Sequence, residues 1–172
     1  GGRSGLATSE WIGNAKAQPV LNQYLNRFKL ETLPAPEFVR TPGYLIDGEY
    51  FSASDLATKQ PATAEALKRY EKTLDDLARS IDDPLNPQAT STLFALDQIN
   101  VSTWLNKLQL PATARQLINQ QIRTRYDEPS RLSLLYFAQQ NRVYRGVSDR
   151  DLRAARLPGG SPVLAQAFVK QL

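Results

Sequence analysis

Arginines, carboxylates and aromatic rings carry whatever chemistry this sequence has, because its 172 residues include no Cys and no His. Without Cys there is no thiolate nucleophile, no disulfide and no zinc–thiolate site. Without His, the usual base of a nucleophilic triad and the commonest transition-metal ligand are missing. Three stretches remain to be weighed. Gly1-Gly2-Arg3-Ser4-Gly5 has the form of the second half of a dinucleotide fingerprint. A fingerprint needs a strand before it and a βαβ unit closed by an acidic residue, and neither follows, so a terminal tag remnant is the competing reading. Arg123 and Arg125 are placed to attract an anionic substrate, although Asp127 and Glu128 stand close enough to pair with them as solvated surface charges. Asp82-Asp83 offers adjacent carboxylates to a metal, but before Pro84 such a pair reads as a solvated turn, and no metal site is expected.

Composition narrows the function classes. Hydrophobic residues at 41% and charged residues at 22% give a globular chain with room for one ordinary core. The net charge of +4 is dispersed among acidic residues, without the clustered basic face and aromatic platforms that nucleic acid requires. No apolar run reaches membrane-spanning length, and no signal peptide opens the chain. Nothing assigns a compartment. With no Met at all, and Gly1-Gly2-Arg3 at its start, the chain is expected to be a processed product or a fragment.

The elements that must position these groups are mostly helical. Pro19 to Lys29 is a helix with Val20, Leu21, Tyr24, Leu25 and Phe28 on one face. Leu33 to Pro42 is proline-broken and extended. Tyr44 to Phe51 is a hairpin with Asp47-Gly48 in a type I′ turn. Ser54 or Asp55 caps a short helix through Lys59. Pro61 opens a long one to Ile81, with Leu67, Tyr70, Leu74, Leu77 and Ile81 as its stripe and Glu65–Arg69 and Asp75–Arg79 as surface pairs. Thr92 to Gln98 follows. A helix capped by Ser102 buries Trp104, Leu105 and Leu108, and one from Pro111 to about Tyr126 buries Ala114, Leu117, Ile118 and Ile122. The next, capped by Ser130, runs through Asn141 with Leu132, Leu135, Tyr136 and Gln139 on one stripe. Val143 to Asp151 is a polar connection with room for a short turn of helix. The tail is strand, turn and helix: Arg156-Leu157-Pro158, then Gly159-Gly160, then a helix from Ser161-Pro162 bearing Val163, Leu164, Ala167, Phe168 and Leu172. Such a unit packs on a sheet, and almost nothing sheet-like precedes it. The fold class is mainly α, a helical insert domain with a short β-hairpin and a terminal strand–turn–helix.

Several passages occur in an order that resembles the flavin-dependent amine oxidase superfamily, nearest to its L-amino-acid oxidases and amino-acid 2-monooxygenases. They are Gly1-Gly2-Arg3, then Trp11-Ile12-Gly13 with Val20 through Leu30-Glu31-Thr32. Next come Ser102 to Leu110 and Ser133-Leu134-Leu135-Tyr136. Last is Arg156-Leu157-Pro158-Gly159-Gly160 with the Leu164-Ala165-Gln166-Ala167 helix. The chain departs from the family in a short gap between Gly-Gly-Arg and Trp-Ile-Gly, in the absence of the C-terminal flavin-contacting segment, and in two further features. Gly5 stands where L-amino-acid oxidases often carry a carboxylate-binding arginine, and the dinucleotide fingerprint is absent.

The resemblance implies a division of the chain. Residues 1–51 would be a flank from the FAD and substrate domains, 52–151 a helical domain lining the substrate's approach, and 152–172 the return into the substrate and FAD domains of a larger α+β FAD-binding oxidoreductase. It implies FAD bound mainly by residues outside this chain, with Gly2, Arg3 and Trp11 as this chain's cofactor contacts. Arg3 suits that role because a guanidinium pairs bidentately with pyrophosphate. Tyr136, Phe137 and Gln140 would face the substrate pocket, with Leu135 and Tyr136 as core residues the competing reading. The implied partners are the remainder of the protein or a companion chain carrying the FAD domain, a small amino-acid or amine substrate, O2, and further copies in an oligomer, with no nucleic acid and no membrane. The catalytic residues stay unassigned. The rival reading is a free-standing helical binding or scaffold module, supported by the lack of any self-contained catalytic constellation.

Overall fold

A computed structural model describes residues 11–36, 43–87 and 91–171. Gly1-Gly2-Arg3, the end of the proline-broken stretch at 37–42, and Leu172 lie outside the described residues. The chain divides into two compact units, Arg40–Arg145 and a second made of Gly1–Val39 with Gly146–Leu172.

The unit Arg40–Arg145 is helical with one hairpin. Strands β2 (Gly43–Ile46) and β3 (Glu49–Ser52) pair antiparallel. Asp47 and Gly48 turn between them at φ of 50° and 84°, the pair of positive angles that a type I′ turn requires and that Asp-Gly predicts. Helix α2 (Ala53–Lys59) starts earlier than its sequence suggests. Ser52 is the cap: its hydroxyl accepts from the Asp55 N–H, while the Asp55 carboxylate accepts from the Ser52 N–H, a closed capping box.

Helix α3 (Pro61–Arg79) has Pro61 in its first turn and buries Leu67, Tyr70, Leu74 and Ala78; Ile81, just beyond its end, is also buried. Asp75 and Arg79 pair as expected. Glu65 instead pairs with Lys68, and Arg69 donates to the Leu108 carbonyl. That carbonyl ends α5 (Val101–Lys107), following α4 (Ser91–Asp97). Asn100, not Ser102, caps α5, its side-chain oxygen accepting from the Thr103 N–H.

Helix α6 (Ala112–Arg125) buries Ala114, Ile118 and Ile122. Helix α7 (Leu134–Val143) is capped by Ser133 rather than Ser130. The difference has a cause: Asn100 and Ser133 form a β-bridge, with hydrogen bonds from Val101 N–H to Leu132 and from Leu134 N–H to Ile99, so residues 132–133 are spent on that bridge. The buried face of α7 is accordingly Leu134, Leu135, Phe137 and Ala138, and Tyr136 turns outward. One core joins α3, α5, α6 and α7 and takes in Ile46 and Phe51 of the hairpin.

The second unit contains α1 (Pro19–Arg27), β1 (Leu33–Pro34), α8 (Asp149–Leu152), β4 (Ala155–Arg156) and α9 (Pro162–Val169). Here the tail finds strands. Strand β4 pairs antiparallel with β1 on one side, Leu33 opposite Arg156, and Ala155 bridges Ile12 on the other. Ala155–Arg156 is thus the middle of a three-segment antiparallel ribbon that the chain supplies itself, which corrects the expectation that the tail lacks sheet partners. Gly159 and Gly160 follow at φ of 82° and 78°, the reversal glycine permits, and α9 begins. Phe168 of α9 stacks with Tyr24 and Phe28 of α1, each at 4.8 Å between ring centroids. Among the described residues no helix is long and apolar enough to cross a membrane.

Candidate functional site

Each residue of Trp11-Ile12-Gly13 has a distinct reason for its type. Ile12 is buried and exchanges backbone hydrogen bonds with Ala154 and Ala155. Gly13 is closely packed: a Cβ there would lie 3.1 Å from Ala17, from Gln18 and from the Asp151 carbonyl, so a larger residue would have to push them aside. Its N–H donates to the Gln18 side chain at 2.8 Å and its carbonyl accepts from the Asn22 amide at 2.9 Å. Trp11 is half-buried, and the Arg156 guanidinium lies over its ring, 4.1 Å from the centroid. An indole face attracts a cation through its quadrupole, and a planar guanidinium stacks there well.

The same stretch is tied to the chain beyond residue 146 by one carboxylate. Ser148 caps α8, and Asp151 closes the box by accepting from the Ser148 N–H at 2.8 Å and its hydroxyl at 2.8 Å. Asp151 also accepts from the Asn14 amide at 2.7 Å and pairs with Lys16 at 3.5 Å. These bonds, those from Ser148 foremost, hold its carboxyl well below the ordinary 3.8. Ser148-x-x-Asp151 is a capping-box signature readable in the sequence, in a stretch that reads there as a polar connection with room for a short turn of helix. Nothing in the sequence marks Asn14 and Lys16 as its partners.

On the helical unit, Tyr136 and Gln140 lie one turn apart on α7. Tyr136 is 45% exposed and Gln140 half-buried, whereas Phe137 is only 2% exposed. Tyr136 is therefore not a core residue, and Phe137 presents no surface of its own. The two are joined through Tyr126 at the end of α6, whose ring meets Tyr136 edge-on at 6.5 Å and Phe137 edge-on at 5.4 Å. Edge-to-face contacts of this kind fix ring orientation and add roughly 0.5–1.5 kcal/mol beyond area burial. Behind Phe137 the contacts run on to Trp104 at 6.4 Å and from there to Tyr70 at 5.9 Å. Burial pushes the Tyr126 and Tyr70 hydroxyls above their ordinary 10.0. Tyr126 is a residue that sequence reasoning leaves out, since it falls at a helix end and off every stripe.

The remaining candidates divide. Arg123 is committed to Glu128, with two hydrogen bonds of 2.7 and 2.8 Å in bidentate geometry, which favours the paired-surface reading over anion attraction. Gly2 and Arg3 lie outside the described residues. Among the described residues no group of three or more His, Cys, Asp or Glu is arranged to hold a metal ion. Their strand pairs are antiparallel, so they contain no parallel βαβ cradle for a dinucleotide. The aromatic candidates are each described within their own unit: Trp11 under Arg156 in one, and Tyr136 against Tyr126, which also meets Phe137, in the other.

No protein-family model and no curated protein matches the sequence. Solved structures do match the fold. Wild-type putrescine oxidase bound to putrescine aligns over 94% of this chain at TM-score 0.73 and 19% identity. Cyclohexylamine oxidase from Brevibacterium oxydans IH-35A aligns over 95% at TM-score 0.74 and 25% identity. The chain spans 37% of the length of each, so most of either oxidase lies outside the matched region. The chain has the fold of a segment of the flavin-dependent amine oxidases, the superfamily its sequence resembles.

Proposed function

We propose that this chain is a segment of an FAD-dependent oxidoreductase that acts on the amine-bearing carbon of an L-amino acid or amine, and that it works only with the polypeptide that binds the flavin. The observation that carries this reading is a fold match over nearly the whole chain to oxidases named for two amine substrates. When bound, the flavin supplies the oxidation of the C–N bond to an imine, with O2 as the reoxidant. That chemistry asks for no His or Cys, in keeping with a sequence that has neither.

The chain's own residues orient the substrate and keep water out. The Tyr136 hydroxyl and the Gln140 amide are the polar groups offered by α7. Phe137 acts from behind, holding Tyr126 and through it Tyr136. Trp11 is this chain's described wall beside the flavin, and Gly2 and Arg3 its remaining cofactor contacts. Residues 52–151 line the substrate's approach, with 1–51 and 152–172 as the connections to the flavin- and substrate-binding parts.

The test is to purify the complete assembly that contains this chain, denature it and look for released flavin. Peroxide production is then assayed with L-amino acids and with primary amines in parallel. A yellow protein that forms peroxide is expected, and the better substrate class decides between amino acid and amine. Flavin present with a decarboxylated amide product would point to the monooxygenase outcome. A colourless assembly would sink the proposal.

A further inference from the structure

Ile12 and Ala155 bridge antiparallel, so the residues one step outward, Trp11 and Arg156, are direct cross-strand neighbours. Arg156 is flanked on its other side by Leu33, its register partner in β1. Its backbone is therefore held from both edges of the ribbon. The backbone beneath Trp11 is held as well, by the Ile12 hydrogen bonds to Ala154 and Ala155 and by the Gly13 bond to Gln18. The angle of the indole about its side-chain torsions is set by the groups packed on its ring. The Arg156 guanidinium covers one face of that ring at 4.1 Å.

We propose that Arg156 is a positioning residue, whose guanidinium fixes the Trp11 ring in the one orientation that the amine-oxidising site uses. The role at that site rests on the flavin reading above; the positioning of Trp11 does not. Arg156 acts through Trp11 and makes no contact with substrate. Its planar fork matters as well as its charge, because an ammonium attracts the ring but does not stack on it.

The experiment has two readouts. Trp11 emission in the full chain is obtained by subtracting the spectrum of Trp11→Phe, which leaves the signal of Trp104 aside. Arg156→Ala should shift that emission to the red and make it several-fold more open to acrylamide quenching, of the order expected when a stacked partner is lost. Arg156→Lys should fall between. Arg153→Ala, which removes a nearby exposed positive charge and no stacked partner, should do neither. In the holoenzyme, Arg156→Ala should lower kcat about tenfold, since misplacing a site wall costs rate, with flavin content unchanged and partial recovery in Arg156→Lys. Unchanged Trp11 emission and quenching in Arg156→Ala would overturn the proposal. So would altered emission with wild-type kcat and full flavin. Should Arg156→Ala not fold, Arg156→Lys with wild-type emission, quenching and kcat also overturns it. A colourless holoprotein in which Arg156→Ala still shifts Trp11 emission would overturn the flavin reading while upholding Arg156 as the group that positions Trp11.

Discussion

The unit Arg40–Arg145 is held by a continuous buried core, whereas the unit formed by Gly1–Val39 and Gly146–Leu172 adds polar contacts and short backbone bridges to one ring cluster of Tyr24, Phe28 and Phe168. In the first, α3, α5, α6 and α7 and the hairpin share one continuous core. In the second, Ile12 and Leu25 are the only buried hydrophobic residues among those described. The Asp151 box, the Ile12–Ala155 bridge and the Arg156–Trp11 stack supplement so small a buried set. Even its most apolar helix, α9, buries no residue, and Val169 is 69% exposed. A unit built this way has partners that must be in register to contribute at all. A core tolerates small shifts that a hydrogen bond does not.

This contrast can be broken experimentally. The largest effect is expected from Phe137→Ala, which empties a fully enclosed site between Tyr126 and Trp104 and should cost about 3–5 kcal/mol of stability. Thermal or urea unfolding measures it, and the loss of protection from hydrogen exchange should fall within residues 43–145. Spread equally over residues 11–36 and 146–171, it would remove the distinction between the units.

Second is pH, at opposite ends for the two units. Burial keeps the Tyr70 hydroxyl protonated beyond its ordinary 10.0. The stability it gives is complete below that value and is lost as pH rises past it, so the helical unit should weaken first in alkali, and Tyr70→Phe should blunt the effect. Asp151 behaves oppositely. Its folded carboxyl lies below 3.8, so its contribution is complete above that pH and lost as pH falls through it. Segments 11–36 and 146–171 should open first in acid, as read by limited proteolysis or exchange. Asp151→Asn should open the same segments at neutral pH and remove the acid step.

The smallest effect is expected from Ser52→Ala. It removes one cap and should cost about 1 kcal/mol, confined to α2 and the adjoining hairpin. A larger loss reaching α7 would mean that the hairpin contributes more to the core than Ile46 and Phe51 alone.

Much of the fold is legible because local rules dominate where they are strong. Asp47-Gly48 specifies its turn, Pro61 its helix start, and the Leu67–Tyr70–Leu74 spacing its buried face. The caps are less legible. Ser102 and Ser130 are good capping residues by type, but Asn100 and Ser133 are used, because a long-range bridge between those two residues fixes where α5 and α7 begin. On the helix that follows this bridge, Tyr136 faces outward and Phe137 inward.

By itself, the sequence determined the helical class, the hairpin, the reversal at Gly159-Gly160 and that these 172 residues bring neither thiol nor imidazole. These depend on residue types and on neighbours a few positions apart. Only the tertiary structure decided that Ala155–Arg156 lies between residue 12 and β1, that Asp151 gathers Asn14, Lys16 and Ser148, and that Arg156 lies over Trp11. Apart from the local Ser148–Asp151 box, those contacts join positions more than a hundred residues apart, and no local propensity encodes which of several arginines will reach Trp11.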